Sequence, residues 1–380
     1  MNKEFFAAPF LPPEDFSEDF WTLIKREERP IVLYGMGNGA DKLIKRLADL
    51  GKEVSDFFAS DGFVRGQSFH GKTVLSLADI CGKYEDFVIL VSFGSHLSTV
   101  VDFVYGLSRR YSLYIPDMPL AEEIYFDAAF YREHYADIVR AYALLEDEAS
   151  KRVFAAAVWY KLTAAPAWLS SSVYDTDEKT LCGFPSMKAA VDVGAYRGDT
   201  LKELMALAPQ LNTVYAVEPD EKNFKRLESA AASYADRASI YCIHAAAWCE
   251  DGELLLDASG NRNTSLATRE ANSASYKHKT KLVKTSKIDT ITQGRQRIDY
   301  IKYDTEGVER EALLGSAETI KSSMPTLLVS AYHKSEDVFS LILLLEKMAP
   351  SGYRFYLRRR NCIPLWDLNL IAIERKEKNA

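Results

Sequence analysis

The chain has 380 residues, more than one hydrophobic core accommodates, and its length sets an expectation of about two to three domains. With 47% hydrophobic and 27% charged residues it has the make-up of a globular protein. A formal net charge of −7 argues against a nucleic-acid binder that works by neutralising phosphates, and the longest apolar stretches, such as FSLILLL from Phe339, are too short to span a membrane.

Residues 1–28 read as a polar arm with aromatic anchors, in which Pro9, Pro12 and Pro13 break any apolar leader. Residues 29–118 alternate strand and helix: IVLYG, VSDFFAS, DFVILVSF and YSLYIP are strand-like, and ADKLIKRLADLG is helical up to Gly51. That alternation marks a parallel sheet with helices on its faces. Residues 119–185 read as a linker. Ile138, Tyr142 and Leu145, then Phe154, Val158 and Leu162, recur at helical steps and predict amphipathic packing helices. The stretch TAAPAWLSSSVYDTDEKTLCGF reads as loop. Strand–helix alternation resumes over residues 186–380, with strands AAVDVG, TVYAVEP, ASIYCIHAAA, IDYIKYD and PTLLVSAYH. The expected fold is therefore α/β: two tandem doubly wound parallel-sheet domains joined by a helical linker.

The cysteines are Cys81, Cys182, Cys242, Cys249 and Cys362. An odd count without CxxC spacing suggests neither a disulfide framework nor a zinc site, and points to a reducing cytoplasm.

In an open parallel sheet, ligands bind beyond the carboxyl ends of the strands. In the second domain those ends carry Asp192, Gly194 and Gly198, then Glu218, then His244 to Ala247, then Asp304 and Glu306, then Tyr332 and His333. A pyrophosphate would want Gly-x-Gly-x-x-Gly without acids beside it. Here the spacing is Gly194-x-x-x-Gly198, with Asp192 two residues before the first glycine. A ligand with an ammonium, a sulfonium and a ribose diol fits better: Asp192 toward the cationic end, glycines where the backbone comes close, Glu218 for the ribose hydroxyls. These features describe S-adenosylmethionine. Ala195, Tyr196, Asp199, Thr200 and Ala246 complete the expected contacts, and Thr200 with Glu203 reads as a capping box.

DVGAYRGDT, VYAVEPDEKNFKRLE, IDYIKYDTEGVEREALLGS and PTLLVSAYH together resemble the FkbM family of S-adenosylmethionine-dependent methyltransferases, over about residues 186–360. IKYDTEGVE is similar to that family's Lys-x-Asp-x-Glu-Gly-x-Glu pattern. The resemblance implies methylation of a hydroxyl oxygen on a sugar, polysaccharide or natural product, a small-molecule or glycan acceptor. It implies cofactor contacts from Asp192, Gly194, Gly198 and Glu218, with Asp304, Glu306 and His333 facing the reaction. The first domain is similar to the Rossmann-like domain often fused ahead of such enzymes. Its YGMGNGA turn satisfies Gly-x-Gly-x-x-Ala through Gly35, Gly37 and Ala40, and Asp61 falls where a ribose-binding acid belongs. No catalytic set for NAD(P) chemistry follows that turn, which leaves a vestigial or regulatory site, a working nicotinamide enzyme or a nucleotide sensor as alternatives.

Methyl transfer needs an aligned and deprotonated acceptor oxygen. His333 is the expected base. Asp304 and Glu306 offer hard oxygen ligands for Mg²⁺ as a rival route, with Glu309 set aside because it should begin the helix after Gly307. Arg262 and Asn263, in the polar segment between strands three and four, are candidates for acceptor contact or plain surface. Arg358, Arg359 and Arg360 read either as a phosphate or carboxylate site or as a solvated strand end.

Overall fold

The apolar run Ile31-Val32-Leu33-Tyr34 has no polar face, so as a strand it must be covered on both sides. In the computed structural model, which describes residues 10–173, 177–257, 266–267, 280–293 and 296–375, it is the fully buried strand β1 (Ile31–Tyr34). Its sheet adds β2 (Asp56–Phe58), β3 (Ser68–Phe69), β4 (Lys72–Leu75), β5 (Val88–Val91) and β6 (Ser112–Tyr114) in the order β3-β4-β2-β1-β5-β6. All pairings are parallel except β3 with β4. That hairpin was not expected. His70 (φ 47°) and Gly71 (φ 75°) form its two-residue turn, and positive φ at both positions suits the strands' twist.

The second large sheet holds β7 (Ala189–Val193), β8 (Thr213–Val217) and β9 (Ser239–Ile243). The chain then builds a small separate sheet from β10 (Ala246–Ala247), β11 (Gly252–Asp257), β12 (Leu266–Ala267) and β13 (Thr280–Ser286), ordered β10-β13-β11-β12. It returns with β14 (Tyr300–Tyr303), β15 (Thr326–Ser330), β16 (Tyr353–Arg359) and β17 (Leu368–Glu374). The large sheet runs β16-β17-β15-β14-β7-β8-β9. Its five expected strands are parallel, and β17 joins β15 antiparallel with β16 outside it. The doubly wound α/β class thus holds, with two departures. ASIYCIHAAA divides between β9 and β10, which lie in different sheets, and an antiparallel hairpin closes one edge. Arg262 and Asn263 lie outside the described residues.

The linker differs more. The helix Glu148–Thr163 is not amphipathic: every residue from Val153 to Leu162 is buried. A helix is apolar all round only when it is covered all round. One hydrophobic cluster joins Val32, Ile89 and Val104 of the first unit, Phe154, Val158 and Leu162 of this helix, and Val191, Tyr303 and Leu357 of the second. The stretch read as loop contains two further helices, Pro166–Ser171 and Glu178–Cys182.

The arginine run is neither a solvated end nor a ligand site. Arg358 and Arg359 are almost fully buried. Arg358 pairs with Asp147 at 2.7 Å and Asp177 at 2.7 Å, Arg359 donates to the Leu169 carbonyl at 2.7 Å, and Arg360 reaches Glu178 at 2.7 Å. Apart from the Leu357 and Cys362 carbonyls, their partners lie in the linker, so β16 is riveted to it. Ser95 and Ile363 add a backbone bridge between the two units, and a Cβ on Gly94 would fall 2.1 Å from the Trp366 ring.

A fragment of residues 186–380 would retain Arg358 without Asp147 and Asp177. It would also lose the cover that Phe154, Val158 and Leu162 give to Val191, Tyr303 and Leu357 in the shared apolar cluster. We therefore expect the fragment to aggregate or remain unfolded, where the whole chain gives a cooperative melt. Circular dichroism and gel filtration of the two decide it, and a monomeric folded fragment is the contrary result.

Candidate active site

Two turns with left-handed backbone bring the carboxyl ends of β7, β8, β14 and β15 to one place. Gly194 (φ 83°) follows β7, and a Cβ there would stand 1.9 Å from the Asp304 carbonyl oxygen after β14. Only glycine lets these backbones touch. Gly198 (φ 89°) caps the helix Asp199–Leu207 without any side-chain cap. The expected Thr200–Glu203 capping box is therefore absent. Thr200 Oγ1 accepts instead from Lys302 Nζ at 3.2 Å, and Glu203 pairs with Lys179 at 2.9 Å. Between the glycines Ala195 is buried, while Tyr196 (φ 49°) and Arg197 are exposed and lie one against the other.

Glu218, at the end of β8, is 5% exposed. One carboxylate oxygen accepts from the Tyr196 N–H at 2.8 Å and the other from the Asp220 N–H at 2.8 Å. Each oxygen keeps a free lone pair. Burial pushes this carboxyl up to about 7 against those two hydrogen bonds. Asp192 is fully buried, and neither of its oxygens has a hydrogen-bond partner. Its pKa is pushed up to about 6 by burial, with Lys302, in register on β14, opposing. A buried unpaired carboxylate needs an explanation, and a cationic ligand group supplies one. Beyond β9 the His244 ring stacks on Phe224 at 4.6 Å, and Ala246 is buried in β10.

The reaction side gathers the expected residues and two more. Lys302 Nζ donates to Asp304 at 3.1 Å. Burial opposes ionisation of Asp304, but Lys302 and His333 outweigh it and hold the carboxyl below its ordinary value. His333 is 1% exposed, with Nε2 at 3.8 Å from Asp304 and 3.6 Å from Glu306. Its Nδ1 meets Glu309 at 2.9 Å. Glu309 does begin a helix, Glu309–Leu314, as the sequence suggested, and it is nevertheless the nearest partner of His333. The same Glu309 oxygen accepts from the Thr305 N–H at 2.7 Å and the Thr305 hydroxyl at 2.9 Å. Burial pulls the His333 pKa down, and Glu309, Asp304 and Glu306 push it up further, to about 10. With Glu309 on Nδ1, the other ring nitrogen, Nε2, has no hydrogen-bond partner among the described residues.

Asp304, Glu309 and His333 place ligand atoms within 4.8 Å of one another, a group that does not include Glu306. Lys302 already balances Asp304 at 3.1 Å, and the third member of the group offers a ring nitrogen where Mg²⁺ takes oxygen, so the residues do not fit the expected Mg²⁺ route.

In the first sheet, Gly35 (φ 113°) would press a Cβ to 2.6 Å from Phe93, and Gly39 to 2.1 Å from the Ser92 carbonyl oxygen. Gly37 (φ 98°) opens the helix Asn38–Asp49, Ala40 is buried in it, and Asp61 is exposed beyond β2. Gly35 and Gly39 pack against the loop after β5, whereas nothing lies within 4 Å of a Cβ built on Gly37.

Among the described residues no helix is long and apolar enough to cross a membrane. No curated protein matches the sequence. The chain resembles the crystal structure of the methyltransferase FkbM from Methylobacillus flagellatus KT, with 19% identity, 96% of this chain and 95% of that one covered, and a TM-score of 0.67. At a TM-score of 0.31 and 12% identity it overlaps Aeropyrum pernix fibrillarin in complex with S-adenosyl-L-methionine, over 51% of this chain and 72% of that one. Residues 192–355 match the model of the methyltransferase FkbM domain, a span that runs from the buried Asp192 to the middle of β16. Residues 192–355 thus carry a methyltransferase FkbM domain.

Proposed function

We propose that the protein transfers a methyl group from S-adenosylmethionine to a hydroxyl oxygen of a sugar, polysaccharide or natural product. The observation that carries this is Asp192, a buried carboxylate without a partner, flanked by a glycine turn that Glu218 pins. A ligand that brings an ammonium and a sulfonium to Asp192 and a diol to Glu218 satisfies both groups at once. When bound, it supplies a methyl carbon already activated for in-line displacement. The chain's task is then to hold the acceptor oxygen in line and to remove its proton. Alignment contributes about 7–11 kcal/mol, and a placed proton acceptor about 10²–10⁴-fold. Asp304 and Glu306, just beyond β14, and His333, just beyond β15, are the residues this reading assigns to that task. Their proton-handling character favours a hydroxyl over an acceptor that carries no proton.

Two variants test the donor side. Each hydrogen bond to a charged group contributes about 1.5–3 kcal/mol. Glu218→Ala should weaken S-adenosylmethionine binding roughly tenfold or more in calorimetry while the chain stays folded. Unchanged affinity in a folded variant would remove the proposal.

Asp192→Asn should show a trade-off. Burial raises the folded-state pKa from 3.8 to about 6, so the native chain disfavours the ionised form. The stability linked to this group is full below the unfolded value and is lost as pH rises through the folded one. The neutral amide escapes that loss. We expect wild type and Asp192→Asn to melt alike at a pH below the unfolded value, and the variant to be more stable by roughly 3 kcal/mol above pH 7. The same variant should bind S-adenosylmethionine more weakly. A variant no more stable than wild type at high pH would contradict the unpaired state of Asp192.

A further inference from the structure

We propose that His96, Cys362 and Asp367 form a binding site for Zn²⁺, built across the seam between the first unit and the second. The site shares no residue with the glycine turn or the reaction side, and it does not rest on the methyl-transfer function.

His96 lies in the loop after β5, and Cys362 and Asp367 lie in the turn between β16 and β17. A ring nitrogen, the sulfur and a carboxylate oxygen come within 4.8 Å of one another there. His96 Nδ1 stands 3.3 Å from Asp367 Oδ2. Nitrogen and oxygen ligands each about 2.0–2.2 Å from one tetrahedral zinc are about 3.3–3.5 Å apart, so this pair already has the spacing of a coordination edge. The sulfur has a short distance left to close, and the exposed His96 side chain has room to close it. Spacing among the cysteines suggested no zinc site, because the partners of Cys362 are a histidine of the other unit and an aspartate.

The donor set selects the metal. A thiolate, an imidazole and one carboxylate suit Zn²⁺, whereas Mg²⁺ and Ca²⁺ take oxygen. The charges close as well. Asp367 brings one negative charge, Cys362 a second once its thiol proton leaves, and a neutral imidazole none. The S–H bond breaks, its electron pair forms the bond to zinc, and one proton goes to solvent for each ion bound. Three protein ligands leave a fourth position to water.

The neighbours suit a metal-bound sulfur. The buried Cys362 thiol donates to the Trp366 carbonyl at 3.0 Å, and the metal would take the place of that proton. Arg359 lies beside the thiol, and its buried Nε has no hydrogen-bond partner among the described residues. A thiolate gives that guanidinium an acceptor.

The frame is preformed. Ser95 and Ile363, the chain neighbours of His96 and Cys362, exchange both backbone hydrogen bonds, at 2.8 Å and 3.1 Å. Gly94 lies against the Trp366 ring, which stands 6.1 Å from the His96 ring. The Arg360 N–H donates to the Asp367 carbonyl at 3.3 Å. Ligands on loops clamped in this way lose little freedom when an ion binds. The ion would tie the first unit to the antiparallel edge of the second sheet and so stabilise the whole chain.

The full chain, stripped with a chelator and dialysed, is titrated with Zn²⁺ alone in calorimetry and with Co²⁺ alone in absorption. We expect Zn²⁺ to bind with a heat that changes with the buffer, because a proton leaves, and Co²⁺ to give a sulfur-to-cobalt charge-transfer band in the near ultraviolet. Cys362→Ser should abolish the band. His96→Ala changes an exposed side chain, so it should keep the fold and lose roughly tenfold or more in Zn²⁺ affinity, at least what losing an outer partner costs. Zn²⁺ should also raise the melting temperature of wild type by more than that of His96→Ala. Should Cys362→Ser not fold, the band in wild type and its loss or weakening in His96→Ala decide. Absence of the band in wild type, its persistence in Cys362→Ser, or an unchanged Zn²⁺ affinity in His96→Ala overturns the inference. Zn²⁺ that binds without the band has gone to Asp304, Glu309 and His333.

Discussion

The constraint on which the site depends is an imbalance of charge. Five carboxylates, Asp192, Glu218, Asp304, Glu306 and Glu309, meet two cations, Lys302 and His333, at one end of one sheet. A buried charge is tolerated only when it is paired or neutralised by a proton. The structure meets this demand unevenly. Asp304 and Glu309, beside the cations, are held ionised, whereas Asp192, Glu218 and Glu306 are driven up toward neutrality. The unbalanced acids divide by position. Asp192 and Glu218 flank the glycine turn, where a cationic, diol-bearing ligand would complete them. Glu306 lies in the turn after β14, beside His333 at 3.6 Å. Perturbed carboxyls thus gather at one strand-end rim.

The rim keeps its shape because of contacts well outside it. Gly194 against the Asp304 carbonyl fixes the donor turn to the reaction turn, and Gly307 against Ala121 fixes the reaction turn to the linker. Glu122, one residue on, accepts from the Ser335 N–H at 2.8 Å, two residues beyond His333. On its other side the linker accepts Lys42 of the first unit at the Pro119 carbonyl, 3.2 Å away. The first sheet therefore acts on the site by position. Its residues share one apolar cluster with the helix Glu148–Thr163 and with the second sheet, so separating the parts would bare apolar surface.

Much of this was legible in the sequence, for physical reasons that can be named. Parallel strands covered on both faces must be continuous apolar runs, so Ile31–Tyr34, Val88–Val91 and Ala189–Val193 stand out. Acids at strand ends and glycines in strand-to-helix turns locate Asp192, Gly194, Gly198, Glu218 and Asp304 at one rim. The misreadings share a cause, a local pattern overruled by a distant partner. Arg358 and Arg359 look solvated in a run of charge, yet Asp147, Asp177 and Ser172 lie some 180 to 210 residues away in the chain. Thr200 and Glu203 have capping-box spacing, but Lys302 and Lys179 claim them. The helix Glu148–Thr163 shows an apolar stripe of helical period, and the small alanines between the stripe residues hid the fact that its other faces are also covered. Glu309 was discounted because it begins a helix. A first-turn residue can also point back into the preceding loop, and the closeness of Thr305 and Gly307 made that outcome available.

Two glycine turns in one chain show what such a motif decides and what it leaves open. Both are demanded by close backbone approach: Gly39 to the Ser92 carbonyl in the first sheet, Gly194 to the Asp304 carbonyl in the second. Viewed as sterics they are the same device, the first strand of each sheet tied to the strand beside it across the switch in strand order. They differ in what remains unsatisfied. Tyr34 of the first turn finds Ser60 for its hydroxyl and the ring of Phe93 for its face, and Ser92 donates back to the Tyr34 carbonyl. In the second turn Asp192 is left with no donor at all, inside a core where that is costly, while Glu218 takes two backbone N–H groups. A glycine turn licenses a ligand to approach, and an unmet charge beside it gives the ligand a reason to stay.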